Sequence, residues 1–532
     1  MEVACFSNNK RAGSRAGRFP RAIRAAAVVA LLAPAAVRAA DVSWIGPSVG
    51  QWHVEANWSG GAVPAPEDNV TIEGATVSVS DMRVLEGAFT LSANAMLLVN
   101  GAEASFEALG STALSDGRVS VGGGAMAAFP GAVEYEWTLA SQELIFHVSG
   151  EGSFLDLPGL TSVTINGPAG ESLLQNFTAS AGGMLDLSGL ETITAVEGQQ
   201  LTLTLITGGQ ILLPSLASMD RGFLLLTAST TADLPMLEGL FNSTILVPEG
   251  GRVTANALRT AENTIFSLGG LGAVEFPKLE TLTSSQLSIN GTGRVSLPAL
   301  TALRNTNVSL GNDSFLNVPE LITLEAAEIV AFFTANGTGA VSAPKLRAAR
   351  NIAFAASDGA VLNLPRVESY TWDLCEGGIA FSTGGAGSTL NFSGLRTFTV
   401  ETTACTGQGF PIGASGGSMI DLSGLRTIAT PAGQFVTFLA SNAGTVIDLS
   451  SLSSYNVAMV TFLELDSGRI IRSGGGGGGG EGEGEGEGEV PGGGCPAPGA
   501  GARSSAAGDG ILIAALLAAF GLARRRTGIW PV

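Results

Sequence analysis

Histidine, cysteine and tyrosine are scarce in this chain of 532 residues, at 2, 4 and 3 copies. With only His53 and His147 present, neither a Ser-His-Asp triad nor a histidine-rich zinc site is expected. Basic residues are few as well. The 27 Lys and Arg stand against 46 Asp and Glu, and the net charge of −19 argues against nucleic acid as a partner. Aromatics make up 6% and recur in no column, so no aromatic-lined sugar groove is signalled. No P-loop or dinucleotide-binding glycine pattern occurs. The chain is therefore expected not to be an enzyme.

What it has is a repeat. Pro277, Pro298 and Pro319 are 21 residues apart, and each is followed by leucine at +2 (Leu279, Leu300, Leu321) and at +5 (Leu282, Leu303, Leu324). With that proline as position 0, the pattern extends over 13 units from Pro158 to Ser450, at spacings of 21 to 30. Ser188, Asn256, Ser393, Ser423 and Ser450 take the place of proline. Apolar pairs flank the anchor at −3/−1, as Val295/Leu297, and recur at +10/+12, as Val308/Leu310. Alternation of period two belongs to strands, and 21 residues leave no room for a helix beside them.

These features predict an all-β, parallel β-solenoid with coils of 21–30 residues, right-handed because parallel crossovers are. A leucine-rich-repeat-like solenoid is the alternative, although the Leu-x-x-Leu-x-Leu-x-x-Asn signature is missing. Proline lacks an N–H for a sheet and suits a corner; Ser and Asn are turn formers. Small residues at −5, such as Gly251, Gly272 and Gly293, mark a second corner. From Val70 to Gly150 the period is degraded. Val77/Val79, Leu97/Val99, Phe106/Leu109 and Val119/Val121 read there as strands of the first coils.

Position −2, between two inward residues, faces outward. Its carboxylates Asp156/Asp186 and Asp421/Asp448 are candidate Ca²⁺ ligands, with a solvated Asx-rich face as the other reading. No other cofactor is implied. Cys375 and Cys405, about one elongated coil apart, are expected to form a disulfide between inserted loops of an exported protein.

The ends differ in kind. Residues 1–40 read as a signal peptide: a basic stretch from Lys10 to Arg24, an apolar run from Ala25 to Ala36, and a small-residue cleavage site at Val37-Arg38-Ala39 or at Ala40. Residues 41–75 are assigned to an N-terminal cap and 76–472 to the solenoid. Residues 473–494, rich in Gly and Glu, form a linker without side chains to bury. In residues 495–532, Cys495 precedes an apolar stretch from Ile511 to Ala523 and the cluster Arg524, Arg525, Arg526, which fits a membrane segment with a cytoplasmic basic end.

Two resemblances follow from these residues. The run Trp44…Trp52…Asn57-Trp58…Val63-Pro64…Asp68-Asn-Val70-Thr-Ile72 resembles the opening of secreted bacterial β-solenoid proteins, including autotransporter-like passengers. It implies a cap in which Trp44, Trp52 and Trp58 plug the open core. The Gly/Cys motif, apolar stretch and arginines resemble C-terminal sorting signals of the MYXO-CTERM and GlyGly-CTERM kind. That resemblance implies a sorting protease as partner, cleavage near Cys495, and a membrane or lipid anchor. The expected function is an exported, surface-anchored structural or adhesive rod. A polysaccharide-binding or polysaccharide-degrading β-helix and a protein-binding module are the alternatives, and the extracellular ligand is not named by the sequence.

Overall fold

The computed structural model describes residues 39–473, except 228, 376, 377 and 402–406. The described chain is a parallel β-solenoid of about 18 turns, with coils about 24 residues long. Its one helical element is a short 3-10 turn, Glu55–Asn57. Three flanks of parallel strands enclose one core, in place of the single long sheet of a leucine-rich-repeat horseshoe. The first sheet has 18 strands, from Val49–Gln51 to Val460–Leu465. The second flank is a 6-stranded stack followed by an 11-stranded one, and the third a 4-stranded stack followed by a 13-stranded one.

One regular coil shows how the sequence does this. Arg294–Ser296 lies in the second flank, Ala302–Arg304 in the third and Asn307–Leu310 in the first sheet. The inward residues Val295, Leu297, Leu300, Leu303, Val308 and Leu310 are all buried. Their equivalents stack on neighbouring coils. Leu282, Leu303 and Leu324 are register partners in succession, as are Phe266, Leu287 and Val308. Side-chain columns one strand spacing apart, about 4.8 Å, therefore form the continuous core.

The proline corner is a hydrogen-bonded β-turn. The Leu300 N–H donates to the Leu297 carbonyl at 3.2 Å, which puts Pro298 at the second turn position, where its fixed φ is already right. The same bond recurs from Leu160 to Leu157 and from Leu425 to Leu422.

Two further corners are sealed by hydroxyls. At −5 the residue is small: Gly, a buried Ala such as Ala360, or a buried Ser or Thr. Ser388, for instance, donates to the Gly384 carbonyl at 2.7 Å and accepts the Gly359 N–H of the coil before at 2.9 Å. Between the third flank and the first sheet, Asn242, Asn263, Ser284, Asn305 and Asn351 adopt positive φ, which Asn tolerates better than most residues. Ser243, Thr264, Ser285 and Thr306 follow the first four of these and form a buried ladder. Thr306 Oγ1 donates to the Arg304 carbonyl at 2.8 Å and accepts the Ser285 N–H at 3.4 Å. Backbone groups at a bend cannot all pair within the sheets, and each one left dry costs about 1–3 kcal/mol. The column has a signal in the sequence that is easily passed over: Asn or Ser followed by Ser or Thr, repeating at 21 residues.

Longer coils are wider, and aromatics fill them. Tyr370, Phe381 and Phe392 pack around Phe354, and Phe398 stacks on Tyr370 at 5.0 Å and 18°. Tyr135 and Trp137 sit at the same offsets from Pro130 as Tyr370 and Trp372 from Pro365. Both tryptophan indoles donate to a carbonyl two residues on, Leu139 and Leu374.

The degraded stretch forms regular early coils. Val77, Val79, Leu97, Val99, Val119 and Val121 are buried as expected; Leu109 is not, being half exposed at a corner. Glycine at +1 marks these corners. A Cβ on Gly110 would lie 2.1 Å from the Gly87 carbonyl oxygen, and one on Gly131 would lie 2.1 Å from that of Gly110. Direct stacking of each corner on the one before excludes a side chain there.

Candidate functional site

Of the outward features, position −2 is the one the sequence singles out for chemistry. Asp156 and Asp186 are register partners, and so are Asp421 and Asp448. The backbone gives most of these carboxylates a structural task. Where the corner residue is serine it retains an N–H, and the −2 side chain accepts it. Ser188 donates to Asp186 at 2.8 Å, Ser423 to Asp421 at 2.9 Å and Ser450 to Asp448 at 2.9 Å. Asn391 does the same for Ser393 at 3.0 Å. Where the corner is proline there is no such donor, and the −2 residue varies, with Asp233 and Glu275 as well as Leu212, Ser296 and Ser342.

Asp156 precedes Pro158 and has no such donor. Burial, then the charges of Asp186 and Glu107, raise its carboxyl to about 6. Each aspartate pair offers two carboxylates. Calcium takes roughly six to eight oxygens. Among the described residues no group of three or more His, Cys, Asp and Glu is placed to hold a metal ion.

The pair of roles gives two opposite predictions. Asp421→Ala removes the acceptor for the Ser423 N–H and is expected to cost about 1 kcal/mol at neutral pH, as for other lost side-chain caps. Asp156→Asn is expected to stabilise. A folded-state carboxyl raised above its ordinary 3.8 favours folding while protonated, and that advantage is lost as pH rises through about 6. The substitution should raise the melting temperature at neutral pH and leave it unchanged below pH 3.8. Asp156 is half exposed, so solvent screening holds the gain to about 1 kcal/mol or less. Thermal melts across the acid range check both.

Other predicted residues are placed as follows. Trp52 and Trp58 are buried, with ring centroids 4.7 Å apart, and Trp52 meets Phe106 edge-on at 5.3 Å. Trp44 is half-buried against Trp58 at 5.1 Å and 87°. The Trp58 indole donates to the Trp52 carbonyl at 2.8 Å. Glycine is required beside them, since a Cβ on Gly50 would come 2.7 Å from the Trp44 ring. Residues 41–75 also supply strands: Asp41–Ser43 pairs with Asn69–Glu73, and Val49–Gln51 with Thr76–Val79. Cap and first coil are thus one element.

Cys375 is disulfide-bonded. Cys405 lies outside the described residues, as do Cys495, Arg524, Arg525, Arg526 and the signal segment up to residue 38. Among the described residues no helix is long and apolar enough to cross a membrane.

Two arrangements were not foreseen. Ser120 and His147 are register partners on the first sheet, with Oγ 3.3 Å from Nδ1. Burial lowers the imidazole pKa. Among the described residues no carboxylate bonds this ring, so the contact lacks the third member of a hydrolytic triad. A shallow depression of about 480 Å³ lies between Glu401, Thr427, Pro431 and Tyr455. Glu401 is its one carboxylate.

No protein-family model matches the chain, and no curated protein matches it.

Proposed function

We propose that this chain is an exported, envelope-anchored rod with a structural or adhesive role. The observation that supports the reading best is the solenoid itself. Its core is continuous, its corners are sealed by hydrogen bonds, and the segments read as export and sorting signals lie on either side of it. Such a body is a stiff spacer: each coil is held by its neighbours, and length grows with coil number. At about 4.8 Å per coil, 18 strands of the first sheet span about 80 Å. On this reading the Gly/Glu linker sets the rod away from the membrane. A Cys375–Cys405 disulfide would tie two elongated coils to each other.

The N-terminal end adds support for processing beside Ala40. The Ala40 N–H donates to Asp68 Oδ1 at 2.9 Å, and the Ala40 carbonyl accepts the Asn69 N–H at 2.8 Å. Cleavage after Ala39 would turn that amide into an ammonium already seated on a carboxylate, a stronger charge-assisted bond. N-terminal sequencing of the exported protein is expected to begin at Ala40. A chain that still starts at Met1 would contradict export by cleavage.

The function is tested by fractionating the native host and treating intact cells with protease. The reading expects the chain in the envelope fraction and its solenoid trimmed from outside. Recovery in the cytosol, protected until lysis, would end it.

A further inference from the structure

Charge is distributed unequally over the three flanks. Strands of the second flank carry Asp156, Asp233, Arg252 and Glu275 among others; strands of the third carry Glu134, Glu262, Arg304 and Glu325. In all 18 strands of the first sheet the only Asp, Glu, Lys or Arg residues are Arg118 and Glu464. Arg118 is neutralised by an ion pair, and Glu464 is a lone exposed carboxylate on the last strand of the sheet. Arg118 pairs with Glu143 at 2.8 Å, and Glu464 accepts the Ile470 N–H at 2.5 Å. The outward positions of this sheet hold hydroxyls and amides, as at Ser288 and Ser309, interleaved with apolar groups. Leu174, Phe435 and Leu463 there are about 40% exposed, at 41%, 39% and 43%.

We propose that the first sheet is the face on which two copies of this chain pair side by side. Charge selects the occupant. A chain of net charge −19 repels its copies wherever acidic side chains meet, and this sheet is the flank that brings almost none together. The area is sufficient. A strip about 80 Å long and about 13 Å wide, four strand residues at 3.3 Å each, gives about 1,000 Å² on each partner. The total of about 2,000 Å² is what stable complexes bury. The surface composition, apolar groups among neutral hydrogen-bonding ones, suits an interface centre from which charge is depleted. Acidic residues return at the corners beside the sheet, as Glu249 and Asp313. They form a rim whose repulsion salt screens. This inference goes beyond the proposed function and holds for a rod in any compartment.

The test uses the full-length chain with a photo-crosslinking residue at one outward position per flank: Ser288 on the first sheet, Ser296 on the second, Thr283 on the third. Irradiation is expected to give a crosslinked homodimer from position 288 alone, with the joined peptides both from first-sheet strands. The triple variant Leu246→Glu, Ser288→Glu, Ser309→Glu should weaken dimerisation at least tenfold by sedimentation. Glutamates at Thr283 and Ser296 should leave it unchanged and show that added charge alone is tolerated. Raising salt should preserve or strengthen the dimer. A monomer at all concentrations, equal crosslinking from all three flanks, or crosslinks from position 288 to a polysaccharide or a different protein would each overturn the proposal.

Discussion

Leu300→Ala is expected to destabilise the solenoid by about 2–5 kcal/mol, the range for a truncated leucine whose cavity cannot collapse. Leu300 is fully buried at the corner facing the core, and Leu279 and Leu321 hold the same place one coil to either side. The parallel backbone fixes the spacing of these columns, so neighbouring coils cannot close in on the void without breaking register. Two consequences separate this from an ordinary core mutation. Hydrogen exchange should accelerate in the two adjacent coils before distant ones, because contacts in a solenoid run between neighbours. The double variant Leu279→Ala, Leu300→Ala should depart from additivity, since the two voids share a wall. Additive, small losses with uniform exchange would speak against a stacked column.

Trp52→Ala has the other large expected effect, about 3–5 kcal/mol by the same cavity reasoning for a large aromatic. Trp52 lies between Trp58 and Phe106, and Phe106 touches Phe89 and Phe129 at 5.1 and 5.7 Å. The ring therefore ties the first coil to an aromatic column that reaches several coils inward. Its loss should leave the coils after Pro158 folded while those before Gly150 exchange fast. Limited proteolysis followed by mass spectrometry reads this as cleavage confined to the N-terminal coils. A chain that loses all its structure at once would show that the end is not a separable cap.

The fold was legible because its period is short and its core residues simple. Leucine at +2 and +5 fixed the coil, and Val295/Leu297 and Val308/Leu310 fixed two of its strands. The early coils were harder to read. Their corners carry Glu86 and Leu109 where later ones carry proline, and the signal that persists is glycine at Gly87, Gly110 and Gly131. Thirteen anchored units therefore understated a stack whose first sheet has 18 strands. The outward column was harder still. Sequence alone shows Asp186, Asp421 and Asp448 as spare carboxylates. Only the turn geometry shows that each accepts the N–H of a serine that stands where other coils have proline. The link is nevertheless in the sequence: all four serine anchors follow Asp or Asn by two residues. The scarcity of charge on the first sheet becomes visible only once its strands are placed side by side.

The account stands on equivalent positions of successive coils lying directly above one another. Nitroxide-bearing residues introduced in pairs on the first sheet test it most directly: one label at Ser120, the second at Ser267, Ser288 or Ser309. The register places these second positions on consecutive strands. Electron–electron dipolar distances should lengthen in even steps of about 4.8 Å, from about 29 Å to about 38 Å. Distances that stay constant, or change without order along this series, would contradict the stack.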